Sequence, residues 1–360
     1  MVPTISTIAS SPVSLFAGFD THKDTHAVVA STHSGDTVEE FEFPTTTFAY
    51  HKMLDKIQAH GKLTHVAIEC TNNYGKTLAD FFISQGIAVT EVNTTDKGMR
   101  RRIGKTDLSD ARGALNTLVY GQSQGQAKQL TGVFFDLSAL VMARNSAVRQ
   151  RTETTNCIKA LLVRCPFEVV TKYPQKDNKA RFRAMSHARP SATNPDRVVL
   201  ITLKQMAKRW LGLDEEADMY EGMMKEIVQA HFAELVTITG ISYVSAAALL
   251  VRAGSNFSRI HSPEAFVRLA GCAPKPFSSG KNSTMILDRG GDRQLNNILY
   301  MITIVRMRFD EETRVFVKEL EDKHKSKKAT IRILKRYLAR RLYRVLSDVI
   351  LRYNAHLLAL

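Results

Sequence analysis

The sequence predicts an α/β domain followed by a mainly helical region. From Leu15 to about Gly121, short β-type runs alternate with helical stretches, whereas from Leu137 onward apolar residues recur three and four apart. Charge supplies a third observation. Fifty Lys and Arg against 35 Asp and Glu leave +15 over 360 residues, a balance that favours a polyanionic partner, nucleic acid before an anionic membrane.

The elements follow in order. LFAGFD, HAVVAST and VEEFEFP stand close together, with a Ser34-Gly35-Asp36 turn before the third, which predicts an antiparallel meander. An amphipathic segment over Phe48 to His60 precedes the strand THVAIEC; a helix near Tyr74 to Gln85, closed by Gly86, precedes IAVTEVN. Three meandering strands and then α-β-α-β-α is the order of a ribonuclease-H-like fold. Leu137 to Cys165 suits a long amphipathic helix with a basic face. Thr171 to Asp196, with several Lys, Arg and Pro and few large apolar residues, reads as an exposed loop or insertion. Helical spacing resumes from Val198 to Leu235, and the two long helices are expected to pair as a coiled-coil hairpin.

Beyond Ala233 the string LVTITGISYVSAAALLVRAG reads as two short helices around a turn at Gly240, a helix-hairpin-helix-like segment able to offer backbone N–H groups to phosphate. A Pro, Ser and Gly-rich loop, PKPFSSGKNS, then leads towards another helix. Lys323 to Arg344 carries ten Lys or Arg and no acid on helix-compatible spacing. The expected division is a loose tail over 1–14, an α/β domain over 15–127, a helical coiled-coil linker over 128–235 and a C-terminal domain over 236–360.

Apolar residues at 44% and charged residues at 24% are ordinary globular values and exclude an intrinsically disordered chain. No apolar run approaches the roughly 18 residues that span a bilayer. MVPTISTIASSPVSLF has no Lys or Arg before its mildly apolar stretch, so a secretion signal is not expected. Four scattered cysteines without a C-x-x-C pair fit neither a disulfide framework nor structural zinc. A soluble, bacterial cytoplasmic protein associated with the nucleoid is the expectation.

Asp20 and Glu69 stand at the ends of apolar β-type runs, an expensive place for an acid unless a cation meets it. Asp107 and Asp110, three apart at the head of a helix, share one face. Capping and dipole complementarity also explain that pair, with Asp107 the more suitable cap. In a ribonuclease-H-like domain the four would converge at one end of the sheet. Like charges so placed require divalent cations, which on a basic protein points to phosphodiester chemistry with Mg²⁺, or Mn²⁺ as a substitute. Lys97, Arg100, Arg101, Arg102 and Lys105 precede the helical pair and suit a nucleic-acid backbone, or simply a solvated loop. His22 and His26 flank the site and are disfavoured as ligands beside this hard-cation set; Asp24 is a possible substitute ligand. Ser278 and Ser279, beside Lys275 and Lys281, read locally as a polar turn, because no nearby base activates a hydroxyl.

GFDTHKDTHAVV, AIECTNNYGKTLADFFISQG, KTDLSDA, ITGISYVSAAALLVRAG, LAGCAPKPFSSGK, DRGGDRQLNNILY and KRYLARRLYRVL together resemble the DEDD transposases of the insertion-sequence-110 family, relatives of Piv-type invertases. The likeness runs from about Gly18 to Leu346. It implies an N-terminal RuvC-like ribonuclease-H fold, a coiled-coil linker and a C-terminal transposase domain. The family's acids fall on Asp20, Glu69, Asp107 and Asp110, and its nucleophile on Ser279, with Ser278 as its neighbour. The resemblance further implies double-stranded DNA ends and target, a structured noncoding bridge RNA as guide, and a dimer that pairs into a tetramer. Relatives often carry arginines where this chain has Thr284 and Ile286, leaving phosphate contacts there to Lys281 and Arg289. Rival readings are a RuvC-like nuclease without a covalent serine, a tyrosine recombinase using Tyr300, Tyr337 or Tyr343, whose helical spacing places them in the core, an actin-like ATPase, and a binding protein with a decayed site.

Overall fold

In the computed structural model, residues 13–69, 71, 74–92, 106–120, 126–174, 177–279, 282–287 and 290–359 are described; the expected tail over 1–14 lies almost wholly outside them. The chain divides into two compact units, Met1–Gln129 with Ser258–Ile260, and Leu130–Phe257 with His261–Leu360.

The first unit is built on a five-stranded sheet of order β3-β2-β1-β4-β5. The strands are β1 (Ser14–Thr21), β2 (Thr25–Thr32), β3 (Thr37–Pro44), β4 (Lys62–Glu69) and β5 (Ala88–Val92). The first three form the meander, antiparallel throughout, and β4 and β5 add in parallel. Alternation along β1 sorts its side chains. Leu15, Ala17 and Phe19 join a core with Tyr50, Met53 and Ile57 of α1 (Thr47–Gln58) and Leu78 and Phe82 of α2 (Lys76–Ser84). Gly18 faces the other way, towards α3 (Asp107–Val119), whose Ala111, Ala114, Leu115 and Leu118 cover Ala27, Val29, Ala67 and Val92. Helices on both faces of three antiparallel and two parallel strands make this a RuvC-like ribonuclease-H fold.

The second unit is mainly helical. Its long elements α4 (Val133–Leu162) and α7 (Arg197–His231) pair antiparallel. Rising numbers on one meet falling numbers on the other: Arg144 with Glu221 at 2.7 Å, Arg151 with Asp214, and Thr155 accepting from Trp210 Nε1 at 2.8 Å. Residues 171–196 are not the plain exposed loop that their charge suggests. After α5 (Phe167–Thr171), the helix α6 (Asn178–Ser186), capped by Asp177, buries Phe182 and Met185 against the hairpin together with Tyr173. Three apolar anchors suffice to fold a segment whose other residues stay solvated.

Ala233–Thr237 forms a 3₁₀ turn, and α8 (Tyr243–Ala253) follows Gly240, which adopts φ +93°. Next come α9 (Pro263–Leu269), α10 (Arg293–Phe309), α11 (Glu311–Asp322) and α12 (Lys327–Leu358). The expected serine loop is instead an antiparallel hairpin, β6 (Pro274–Ser279) and β7 (Asn282–Leu287), pairing Ser278 with Ser283 and Ser279 with Asn282. Its prolines are tolerated because a two-stranded ribbon has only edges. The core placement of the tyrosines fails for Tyr300 and Tyr337, which are 40% and 51% exposed; Leu334, Leu338 and Leu342 take the buried row of α12 instead.

Phe182 packs edge-on against Trp210, the chain's one tryptophan, at 5.1 Å between centroids. Phe182→Ala is expected to destabilise the second unit by about 3–5 kcal/mol. Urea denaturation followed by Trp210 fluorescence reads this directly, and an unchanged midpoint would detach α6 from the hairpin.

Candidate metal centre

The site begins with a missing side chain. A Cβ at Gly18 would lie 2.2 Å from the Ala111 carbonyl oxygen and 2.3 Å from the Leu115 nitrogen, so only glycine lets the α3 backbone lie against β1. Asp20, two residues on, shares Gly18's face and therefore emerges under the head of α3. Thr106 caps that helix in a reciprocal box with Ser109. Asp107 is thus not the cap that its position suggests, and its carboxylate is available to the site.

His22 joins the two acids. Its Nε2 lies 3.2 Å from Asp20 Oδ2 and 3.3 Å from Asp107 Oδ1. Asp20, His22 and Asp107 each offer one ligand atom within 4.8 Å of the others, forming the one such group among the described residues. Asp110 is buried behind them, one helical turn from Asp107. Burial pushes the Asp20 carboxyl above its ordinary value; His22 opposes this, and the charges of Asp110 and Asp107 add to it.

Glu69 ends β4. The β1–β4 register runs to Phe19 beside Ile68, so Asp20 and Glu69 leave the sheet as neighbours, on the face that Gly18 and Ala67 share. Thr21 Oγ1 donates to the Glu69 carbonyl at 3.0 Å, tying the two strand ends. The Glu69 carboxylate stands outside the three-atom group. The fold therefore brings Asp20, Asp107 and Asp110 into mutual electrostatic range and sets Glu69 on the adjoining strand end.

His26 has a different part. It is buried, stacks on Tyr50 and shares a 3.0 Å hydrogen bond with its hydroxyl; burial lowers its pKa to about 4. Asp24 is exposed in the β1–β2 turn and outside the group. His22 is the residue that charge placement undervalued. The signal was present, since positions 20 and 22 share a face in an extended run. The carboxylates of Asp20 and Asp107, with His22 between them and Asp110 behind, form an acidic cluster able to hold a divalent ion.

The remaining sequence-predicted residues lie elsewhere. Ser279 ends β6, and Ser278 and Lys275 are exposed on that strand. Arg100, Arg101, Arg102, Lys105, Lys281 and Arg289 fall outside the described residues. No described helix is long and apolar enough to cross a membrane.

A ribonuclease-H fold with acids gathered at the end of its first strand defines a class of enzymes that act on nucleic-acid phosphodiesters using divalent metal. Residues 17–166 match the DEDD model described as Transposase, and residues 233–318 match that of the Transposase IS116/IS110/IS902 family. The chain belongs to the IS110 family of transposases, enzymes that act on DNA. A search of curated proteins found no match.

Asp20→Asn removes one of the crowded charges. A carboxyl held above its ordinary value contributes stability that is complete below the unfolded-state value of about 3.9 and is lost as pH rises through the folded-state value. The variant is therefore expected to melt a few degrees higher than the parent near pH 8 without divalent ions, roughly the shift of 1 kcal/mol. That advantage should vanish below about pH 4. Calorimetric scans in chelator check this, and a lower melting temperature at pH 8 would contradict it.

Proposed function

We propose that this transposase moves an insertion sequence by DNA cleavage and strand exchange, with an acid-held Mg²⁺ centre and Ser279 as nucleophile. The observation that carries the reading is the convergence of Asp20 and Asp107 on His22, with Asp110 behind them and Glu69 on the next strand end. Asp20, Glu69, Asp107 and Asp110 are the proposed ligands; His22 bridges two of them until a cation takes its place. A bound divalent ion supplies Lewis-acid stabilisation of charge on phosphate oxygens.

Ser279 Oγ forms a bond to the scissile phosphorus while the bond to the departing DNA oxygen breaks. The proton that the serine loses is balanced by the one that the departing hydroxyl gains. Attack by a hydroxyl from the exchanged strand reverses the step and frees the serine. The phosphoserine link conserves the energy of the broken bond, so no nucleotide cofactor is required. Support for Ser279 comes from the family motif and from its position at the end of β6, beside the 280–281 connection of the hairpin.

The same reading assigns a bridge RNA as guide, double-stranded element ends and target as substrates, and a dimer pairing into a tetramer as the working unit. Lys275, Lys281, Arg289, Arg100, Arg101, Arg102 and Lys105 are the proposed phosphate contacts, and the bacterial nucleoid is the proposed location. The domain limits of 15–127, 128–235 and 236–360 belong to this proposal. Guidance by RNA explains the +15 charge without requiring the protein to read bases itself.

Ser279→Ala should abolish the covalent protein–DNA adduct on an element-end substrate with guide RNA, whereas Ser278→Ala should retain it. Denaturing gels of end-labelled DNA score both. An adduct that survives Ser279→Ala would favour the second reading, a RuvC-like metal-dependent nuclease or transposase that uses water or a DNA hydroxyl directly.

A further inference from the structure

A cavity of about 350 Å³ lies within the second unit, between α10, α11 and α12, at the lower end of the volumes that small ligands occupy. Thr303 lines it, is 2% exposed, and has a buried hydroxyl without a hydrogen-bond partner. A native interior seldom leaves such a group unpaired. Leu334 and Leu338 supply an apolar wall. Phe316 and Tyr337 add a pair of rings at 5.6 Å and 89°. Tyr337 is half exposed, in the middle of the acid-free run from Lys323 to Arg344.

Two guanidiniums complete the lining. Arg306 is buried and pairs with Asp310 at 2.7 Å; Arg341 is half exposed. The Glu312 carboxylate lies 3.9 Å from Arg306 and 3.7 Å from Arg341, yet its side chain is 83% exposed. An exposed acid lying between two arginines occupies the place that a phosphate would take, and gives it up at little cost because surface pairs are weak.

We propose that this cavity binds one unpaired nucleotide of the nucleic acid that the protein handles. The base enters against Phe316 and Tyr337, with an edge towards the Thr303 hydroxyl. Its phosphate displaces Glu312 from Arg341 and Arg306. The aromatic corner made by two perpendicular rings, the unpaired interior hydroxyl and the cationic rim are the three parts that such a ligand needs, and α12, with eight Lys or Arg between Lys327 and Arg344, delivers the strand to them. The inference rests on the nucleic-acid reading above, but on neither Ser279 nor the acids.

The test uses the full-length protein with single-stranded oligonucleotides carrying 5-iodouracil, in a DNA arm and an RNA arm of one sequence, with the duplex as control. Irradiation should attach the single strand at Tyr337 or Phe316 by peptide mapping, and the arm that attaches identifies the source. Tyr337→Ala should weaken single-strand affinity about tenfold, the scale of one lost base stack, whereas Tyr337→Phe should preserve it. Glu312→Gln should tighten binding several-fold by removing the competing carboxylate. Attachment confined to other sites, or Tyr337→Ala and Glu312→Gln variants that fold and bind like the parent, would overturn the proposal while leaving the nucleic-acid reading intact. A parent protein that binds no oligonucleotide would overturn both.

Discussion

The absence of a side chain at Gly18 is the constraint on which the acidic cluster of the first unit depends. A sheet and a helix normally keep the distance that their side chains impose. Here the Ala111 carbonyl and the Leu115 amide occupy the space that a Cβ would need. The first turn of α3 is thereby held over the end of β1, and its acids reach Asp20. Thr106 and Ser109 complete the arrangement by satisfying the helix terminus between themselves. A cap made by Asp107 would have directed that carboxylate at backbone amides instead.

Asp20 and Asp214 are buried carboxylates in opposite electrostatic surroundings. Both are buried, at 7% and 6% exposed. Burial alone raises either carboxyl, but Lys179 and Arg151 meet Asp214 and hold it below its ordinary value. Asp214 thus stabilises the hairpin at neutral pH, and that contribution is lost as pH falls through its depressed value. Asp20 has two further acids and one histidine around it, so its ionised form is a cost to folding. A cost at a position fixed by backbone packing, with a cation able to remove it, is the electrostatic signature of a binding site.

The strand order was legible from period-two runs and turn residues, and the nearness of Asp20, Asp107 and Asp110 from a strand-end acid and a helical pair three apart. Other features escaped for identifiable reasons. His22 lies one residue beyond β1 and is half exposed, so its spacing from Asp20 was the one local mark that set it apart from a solvated turn histidine. The β6–β7 ribbon is masked by Pro274, Pro276 and Gly280, which signal a loop unless the strands are edges. Phe182 and Met185 are only two anchors in a basic segment, and their burial depends on Trp210, distant in sequence. Tyr337 follows helical spacing but stands one position before the buried Leu338, a difference that only the packing of α10 and α11 against α12 decides.

The same packing bears on how a basic protein tells one DNA site from another. Contacts between Lys or Arg and phosphate add affinity that is the same for every sequence and declines with salt. Discrimination therefore has to come from base edges or from base pairing with a guide. The residues lining the α10–α12 cavity bring three hydroxyls, on Thr303, Thr313 and Tyr337, and a hydroxyl both donates and accepts. Groups that both donate and accept would hold the proposed base out of its stack without identifying it. Under the proposed guidance by RNA, such a cavity would fix where a strand is opened while another nucleic acid reads its sequence.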